Sequence, residues 1–148
     1  MEWLPSSWQG VMVSCMVSML TTAVASAPGT PPQHGDVNRG KYLVEEVARC
    51  GECHSPRDAA GNLDRSRWLQ GAPIWIQPVA PIRDWAERAP PLAGLPGLTQ
   101  SQLERVLETG LDIDGKPLRL PMHPYHLARA DAEAMAAYLK SLPEASSH

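Results

Sequence analysis

Cys50-Gly51-Glu52-Cys53-His54 places two thiols and an imidazole within five consecutive positions. C-x-x-C-H is the attachment signature of c-type haem. Each thiol adds to one vinyl group, giving two thioether bonds. Two intervening residues let both sulfurs reach adjacent pyrrole substituents from one helix end. The next residue, His54, then lies under the iron and becomes its proximal ligand. Three other chemistries compete for the same residues. A disulfide between Cys50 and Cys53 would staple almost nothing. A thioredoxin-like pair expects a βαβ setting, whereas this pair follows a helical pattern. Structural zinc wants a second ligand pair a dozen or so residues away. Here the only such pair, His123 with His126, lies about 70 residues downstream. The remaining cysteine, Cys15, leaves an odd count, which is a poor disulfide framework.

An iron held by His54 has a sixth position, and the segment "LRLPMHPYH" contains the residues that could fill it. Met122 stands in a Pro-flanked loop outside any helical stripe, which separates it from the many methionines that serve as core filler. Its thioether is a soft ligand, and Met/His ligation raises the haem potential. His123 competes, since imidazole also ligates iron and would give a lower potential. Met135 falls on a helix face and reads as packing. His126 reads as a surface or packing residue, while His34 and His148 read as solvated.

The elements that must position these groups are helical. "DVNRGKYLVEEVARC" reads as a first helix capped by Asp36, with Val37, Tyr42, Leu43, Val47 and Ala48 supplying an apolar face. Gly40 inside it costs about 1 kcal/mol against Ala, and points to close approach by another helix. Residues 55–98 are punctuated by Pro and Gly and read as irregular, with a short helix at "RDWAERA". A loop that long makes sense if the chain wraps something. Trp68, Trp75 and Trp85 in this region either line the pocket or anchor the loop. "TQSQLERVLETG" is a second helix, with a Thr99/Gln102 capping box and Gly110 at its end. "ARADAEAMAAYLKSLP" is the last, with Met135, Tyr138, Leu139 and Leu142 at helical spacing and Asp131 in a poorly capped first turn. No strand pattern stands out.

The first 27 residues differ from the rest. "WQGVMVSCMVSMLTTAVASA" carries no charge and ends in Ala25-Ser26-Ala27, as a secretory signal would. The Glu2-bearing start lacks the usual Lys or Arg, and an uncleaved membrane anchor is the rival reading. Lipidation at Cys15 fits poorly, because apolar sequence continues beyond it. The reading divides the chain into a signal or anchor (1–27), a linker (28–35), one domain (36–143) and a tail (144–148). The whole chain has 13 basic and 16 acidic residues, and no basic run suited to nucleic acid.

Taken together, a helix bearing Gly40 and Tyr42 runs into C-x-x-C-H, a Pro-flanked Met follows, and the C-terminal helix ends "AAYLKSLP". This pattern resembles a monohaem class I cytochrome c. "CHSPRDAAGNL" and "QGAP" are similar to cytochrome c domains that serve bacterial periplasmic dehydrogenases and respiratory complexes. The resemblance covers about residues 36–143. It implies an all-α class I cytochrome c fold, with helices and long Pro-rich loops wrapped around one covalent haem c and its iron. Cys50 and Cys53 would tether the haem, and His54 and Met122 would ligate it. The terminal helices would cross with Gly40 and Tyr42 against Tyr138 and Leu139. A proline carbonyl, from Pro73 or Pro56, would accept the Nδ1 proton of His54. The order Pro121-Met122-His123-Pro124 departs from the Met-Pro usual in related chains, which keeps His123 in contention.

The expected function is periplasmic one-electron transfer between redox protein partners, as a carrier and not an enzyme. Two alternatives stand beside it. One is a membrane-anchored haem subunit of a larger respiratory or dehydrogenase complex. The other is a haem ligand sensor or enzyme with an open or His-ligated sixth site.

Overall fold

The structure is a computed structural model and describes residues 36–144. The expected signal or anchor, the linker, the tail beyond residue 144, and Cys15, His34 and His148 lie outside the described residues.

Helix α1 (Val37–Tyr42) starts where the Asp36 carboxylate accepts from the backbone N–H groups of Asn38 and Arg39, at 3.0 and 3.1 Å. The chain then widens into a π turn over Leu43–Val47, in which Ala48 N–H reaches back to Leu43 O at 2.7 Å. Cys50 N–H donates to Val44 O at 3.0 Å, and Arg49 takes a left-handed φ of 50°. The single helix expected through Cys50 is therefore broken, and α2 (Gly51–His54) starts in a new direction.

The inner face of α1 also differs from expectation. Val37, Tyr42 and Val47 are 42%, 56% and 57% exposed, while Leu43 and Val44 are buried. The facing partner helix explains this. A Cβ on Gly40 would meet Ala134 O and would stand 2.8 Å from Tyr138 Cβ. Gly40 thus marks the closest approach, and the positions three and four residues on, Leu43 and Val44, follow it inward. The expected closeness of Gly40 to Tyr138 is present, and Tyr42 is 56% exposed beside it.

Helix α3 (Gln100–Thr109) carries the capping box of Thr99 and Gln102 and ends at left-handed Gly110, with Leu103 and Leu107 buried. Helix α4 (Arg129–Ser141) has no side-chain cap at Ala128. Asp131 in its first turn instead accepts from Arg39 Nε at 2.6 Å, linking it to α1. Helix α4 packs on both α1 and α3. Met135, Tyr138 and Leu139 lie in the resulting core with Leu43, Val44, Leu103 and Leu107.

Residues 55–98 contain more order than their sequence suggests. A 3-10 turn covers Arg65–Arg67, and strands β1 (Ala72–Pro73) and β2 (Arg88–Ala89) pair antiparallel, Ala72 opposite Ala89 and Pro73 opposite Arg88. Two residues per strand are too few to leave a period-two signature. The short helix expected at "RDWAERA" does not form. Asp84 has φ 62°, and the residues before Pro90 are extended, as proline disfavours helical geometry at the position preceding it. Among the described residues no helix is long and apolar enough to cross a membrane.

Candidate haem-attachment site

Cys50 sits at the N-terminus of α2, and Cys53 and His54 lie on it. Both thiols are free and half-buried. Burial pushes the Cys50 thiol up to about 11, so it is a neutral thiol near neutral pH. That state argues against a redox dithiol, which works through a thiolate of lowered pKa. Among the described residues, no group of three or more His, Cys, Asp or Glu is placed to hold a metal ion.

His54 is only 7% exposed, and its Nδ1 lies 2.8 Å from Pro90 O. A carbonyl can only accept, so Nδ1 carries the proton and Nε2 keeps a free lone pair. Burial lowers the pKa of His54, partly offset by the Pro90 bond. Burial favours the neutral imidazole, and the Pro90 bond fixes its tautomer; a neutral imidazole with Nε2 free is the state that ligates a metal.

The accepting proline is Pro90, and neither Pro73 nor Pro56 fills that place. The loop fold explains the correction. His54 O accepts from Gly71 N–H at 2.8 Å, and the β1–β2 ladder then turns the chain back beside the motif. Gly71 has φ 79°, and a Cβ there would stand 2.9 Å from Pro91 N and 3.0 Å from Ala89 O. Only a residue without a side chain admits Pro90 and Pro91 this close. The next residue of the motif helps as well. Ser55 is buried, and its Oγ accepts from Leu69 N–H at 2.8 Å, while Leu69 O accepts from Leu92 and Ala93 N–H at 2.8 and 3.1 Å.

Glu52, between the two cysteines, organises the outer side of α2. Its carboxylate bridges Arg49 and Arg57 at 2.7 and 2.8 Å, and its carbonyl accepts from Trp75 Nε1 at 3.1 Å. Arg57 lies over the Trp75 ring, 4.7 Å from its centroid. Trp75 is 59% exposed and so anchors the loop from outside. Trp68 packs its ring against Gly51, with Arg65 stacked 4.1 Å from its centroid. Trp85 presents a buried Nε1 that has no partner among the described residues.

Met122 is half-buried in a separate loop. Upstream, Arg119 donates to the carbonyls of Asp84 and Trp85 at 3.2 and 3.1 Å, and Ala86 N–H donates to Leu120 O at 2.6 Å. Downstream, Leu127 N–H donates to Leu107 O at 3.0 Å, and Pro124 abuts Gly110. Tyr125 connects this loop to the motif, donating its hydroxyl to Ala48 O at 3.1 Å. His123 is exposed, with its ring centroid 4.3 Å from that of Tyr125. His126 is exposed and Met135 is core, as their sequence positions suggested.

This donor set fits a haem. Two free thiols three residues apart adjoin an imidazole whose Nε2 lone pair is fixed by tautomer. The unpaired indole N–H of Trp85 has the chemistry to donate to a carboxylate such as a propionate. Sequence reading missed Pro90, Ser55, Glu52 and Tyr125. Only the Pro90-Pro91 pair and an aromatic hydroxyl three residues after Met122 offered a signal.

No protein-family model matches the chain. It is similar to a diheme cytochrome c-type protein of Cereibacter sphaeroides, 34% identical over 71% of this chain and 35% of that one. The cytochrome subunit of fructose dehydrogenase from Gluconobacter japonicus is also 34% identical, over 73% of this chain and 22% of its own length. The cytochrome c subunit of a quinone alcohol dehydrogenase from Gluconacetobacter polyoxogenes is 32% identical, over 79% and 26%. The chain thus spans only about a third or less of the relatives it matches. These likenesses support a c-type cytochrome and imply a cytochrome c fold for the helical core. By name, the two dehydrogenase relatives are cytochrome subunits.

Proposed function

We propose that residues 36–143 form a monohaem class I cytochrome c domain that carries one electron at a time between redox proteins. The observation that carries this reading is the buried His54, donating through Nδ1 to Pro90 O and so presenting Nε2 as a lone pair beside two free thiols. Cys50 and Cys53 tether the group. Each thiol would hold the group through one thioether bond. His54 and Met122 would ligate its iron. Once bound, the haem supplies a ferric/ferrous couple that takes an electron from a donor and gives it to an acceptor. The protein's own part is to hold both axial side chains and keep the iron away from water. One C-x-x-C-H in the sequence supports one haem in this chain.

His123 is the weaker sixth ligand, because its ring is exposed and faces Tyr125. Residues 1–27 would direct export to the periplasm or anchor the domain there. The names of the relatives favour a second reading of its setting, in which the domain serves a dehydrogenase as an electron-transfer subunit. The redox chemistry is the same in both.

The test is to express the chain with a c-type maturation system and record oxidised and reduced spectra. Expected are a covalent haem and the weak near-infrared ferric band of a Met–iron bond, lost in Met122→Ala. A haem whose spectrum is unchanged by Met122→Ala but altered by His123→Ala would assign the sixth position to His123. No covalent haem would overturn the reading. Purification with membranes or free of them separates the two settings.

A further inference from the structure

We propose that Tyr125 is a positioning residue that selects the sixth ligand, holding the Met122 loop to the haem motif while keeping His123 turned away. The inference rests on Met122 ligation as read above. It stands on two contacts made by one side chain. The Tyr125 hydroxyl donates to Ala48 O at 3.1 Å, across 77 positions of sequence. The Tyr125 ring lies 4.3 Å from the His123 ring, tilted by 51°.

The position of Ala48 makes the first contact matter. Ala48 closes the π turn through its own N–H bond to Leu43 O and stands two residues before Cys50. A carbonyl there moves with the haem-bearing segment. The Met122 loop is pinned upstream to residues 84–86 and downstream to α3, through Leu107 and Gly110. Both anchors reach α2 only through intervening elements, the upstream one through β2 and Pro90. Among the hydrogen bonds of the described residues, the Tyr125 hydroxyl is the side-chain bond that joins residues 121–126 to the motif segment.

The second contact bears on choice of ligand. Met122 and His123 are adjacent on one loop, so both are candidates for one iron. The face of Tyr125 gives the His123 ring a place to pack that is not the iron. Removing the hydroxyl loosens the loop but leaves this packing. Removing the ring removes both.

The test uses the holoprotein of the wild type and four variants, read by ferric near-infrared and visible spectra and by titration with added imidazole. Tyr125→Phe is expected to keep the Met–iron band and bind imidazole roughly two- to tenfold more tightly, as loss of one net hydrogen bond implies. Tyr125→Ala is expected to lose the band and show a bis-imidazole spectrum without added ligand. Tyr125→Ala/His123→Ala is expected to lose that bis-imidazole spectrum, which a merely structural role for Tyr125 would not produce. Wild-type imidazole affinity in Tyr125→Phe, together with a retained band in Tyr125→Ala, would overturn the selection role and leave Met122 ligation standing. A wild-type ferric protein with no such band, unchanged by Met122→Ala, would overturn both.

Discussion

The carbonyl of Pro90 decides what His54 can do, and its position depends on a glycine elsewhere in the loop. Gly71 combines a left-handed φ with a Cβ direction blocked by Pro91 N and Ala89 O. Gly71→Ala is expected to push the Pro90 segment away from His54. A weaker Nδ1–H···O bond makes the imidazole a less basic ligand, which favours ferrous over ferric iron. The midpoint potential should therefore rise, as redox titration of the holoprotein would detect. An unchanged potential would mean that the loop absorbs the methyl elsewhere. Ser55 offers a separable case. It is 1% exposed, and its Oγ is the acceptor for the buried N–H of Leu69. Ser55→Ala leaves that donor without a partner, at a cost of about 1–3 kcal/mol. The denaturation midpoint of the holoprotein should fall accordingly, with the slope unchanged.

Helices α1 and α4 meet where a side chain would not fit. The wall facing Gly40 is the backbone carbonyl of Ala134, which has no rotamer by which to withdraw. Gly40→Ala is therefore expected to cost about 3 kcal/mol or more, the upper end for overpacking, as urea denaturation would show. Farther along, Asp64 caps the 3-10 turn by accepting from Ser66 and Arg67. The Ser66 and then the Arg67 bonds pull its pKa down to about 2, from an ordinary value of 3.8. A depressed folded pKa means that the cap's contribution is complete above about 3.8 and is lost as pH falls toward about 2. Asp64→Asn should remove that part of the acid sensitivity, measurable as a flatter stability–pH curve below pH ~4. Sequence reading succeeded where the determinant was local. The Thr99/Gln102 box and Gly110 bound α3 by their own geometry, and the spacing Cys50-Cys53-His54 brings two thiols and an imidazole to one short helix. It failed where the determinant lay on another element. The inner face of α1 is set by Ala134 and not by its own apolar periodicity, so Tyr42 and Val47 were placed inside. Pro90 reaches His54 only through a ladder of two residues per strand, too short to announce itself in sequence.

For the molecule as a whole, the arrangement of charge constrains how a partner can be met. The chain carries 13 basic and 16 acidic residues, and the only charged residue in positions 1–35 is Glu2. The basic side chains around the motif are largely engaged within the protein. Arg49 and Arg57 both pair with Glu52, and Arg67 pairs with Asp64. Away from the motif, Arg39 pairs with Asp131 and Arg129 with Glu133. A cytochrome steered by a ring of lysines would show an uncompensated basic field at this end, and here the field is largely cancelled at short range. Screening acts mainly on fields that reach beyond a Debye length, which shrinks from about 30 Å at 0.01 M salt to about 10 Å at 0.1 M. Steering by net charge would make the second-order rate fall steeply over that interval. For this protein the rate of electron exchange with a physiological partner is expected to fall by less than about threefold across it. Stopped-flow oxidation at graded ionic strength measures this directly. A tenfold or larger fall would mean that the partner brings a strong field to a surface whose own charges do not cancel at contact. Charge reversal at Glu52, which would free Arg49 and Arg57 together, should then change the slope more than reversal at Asp131 on α4.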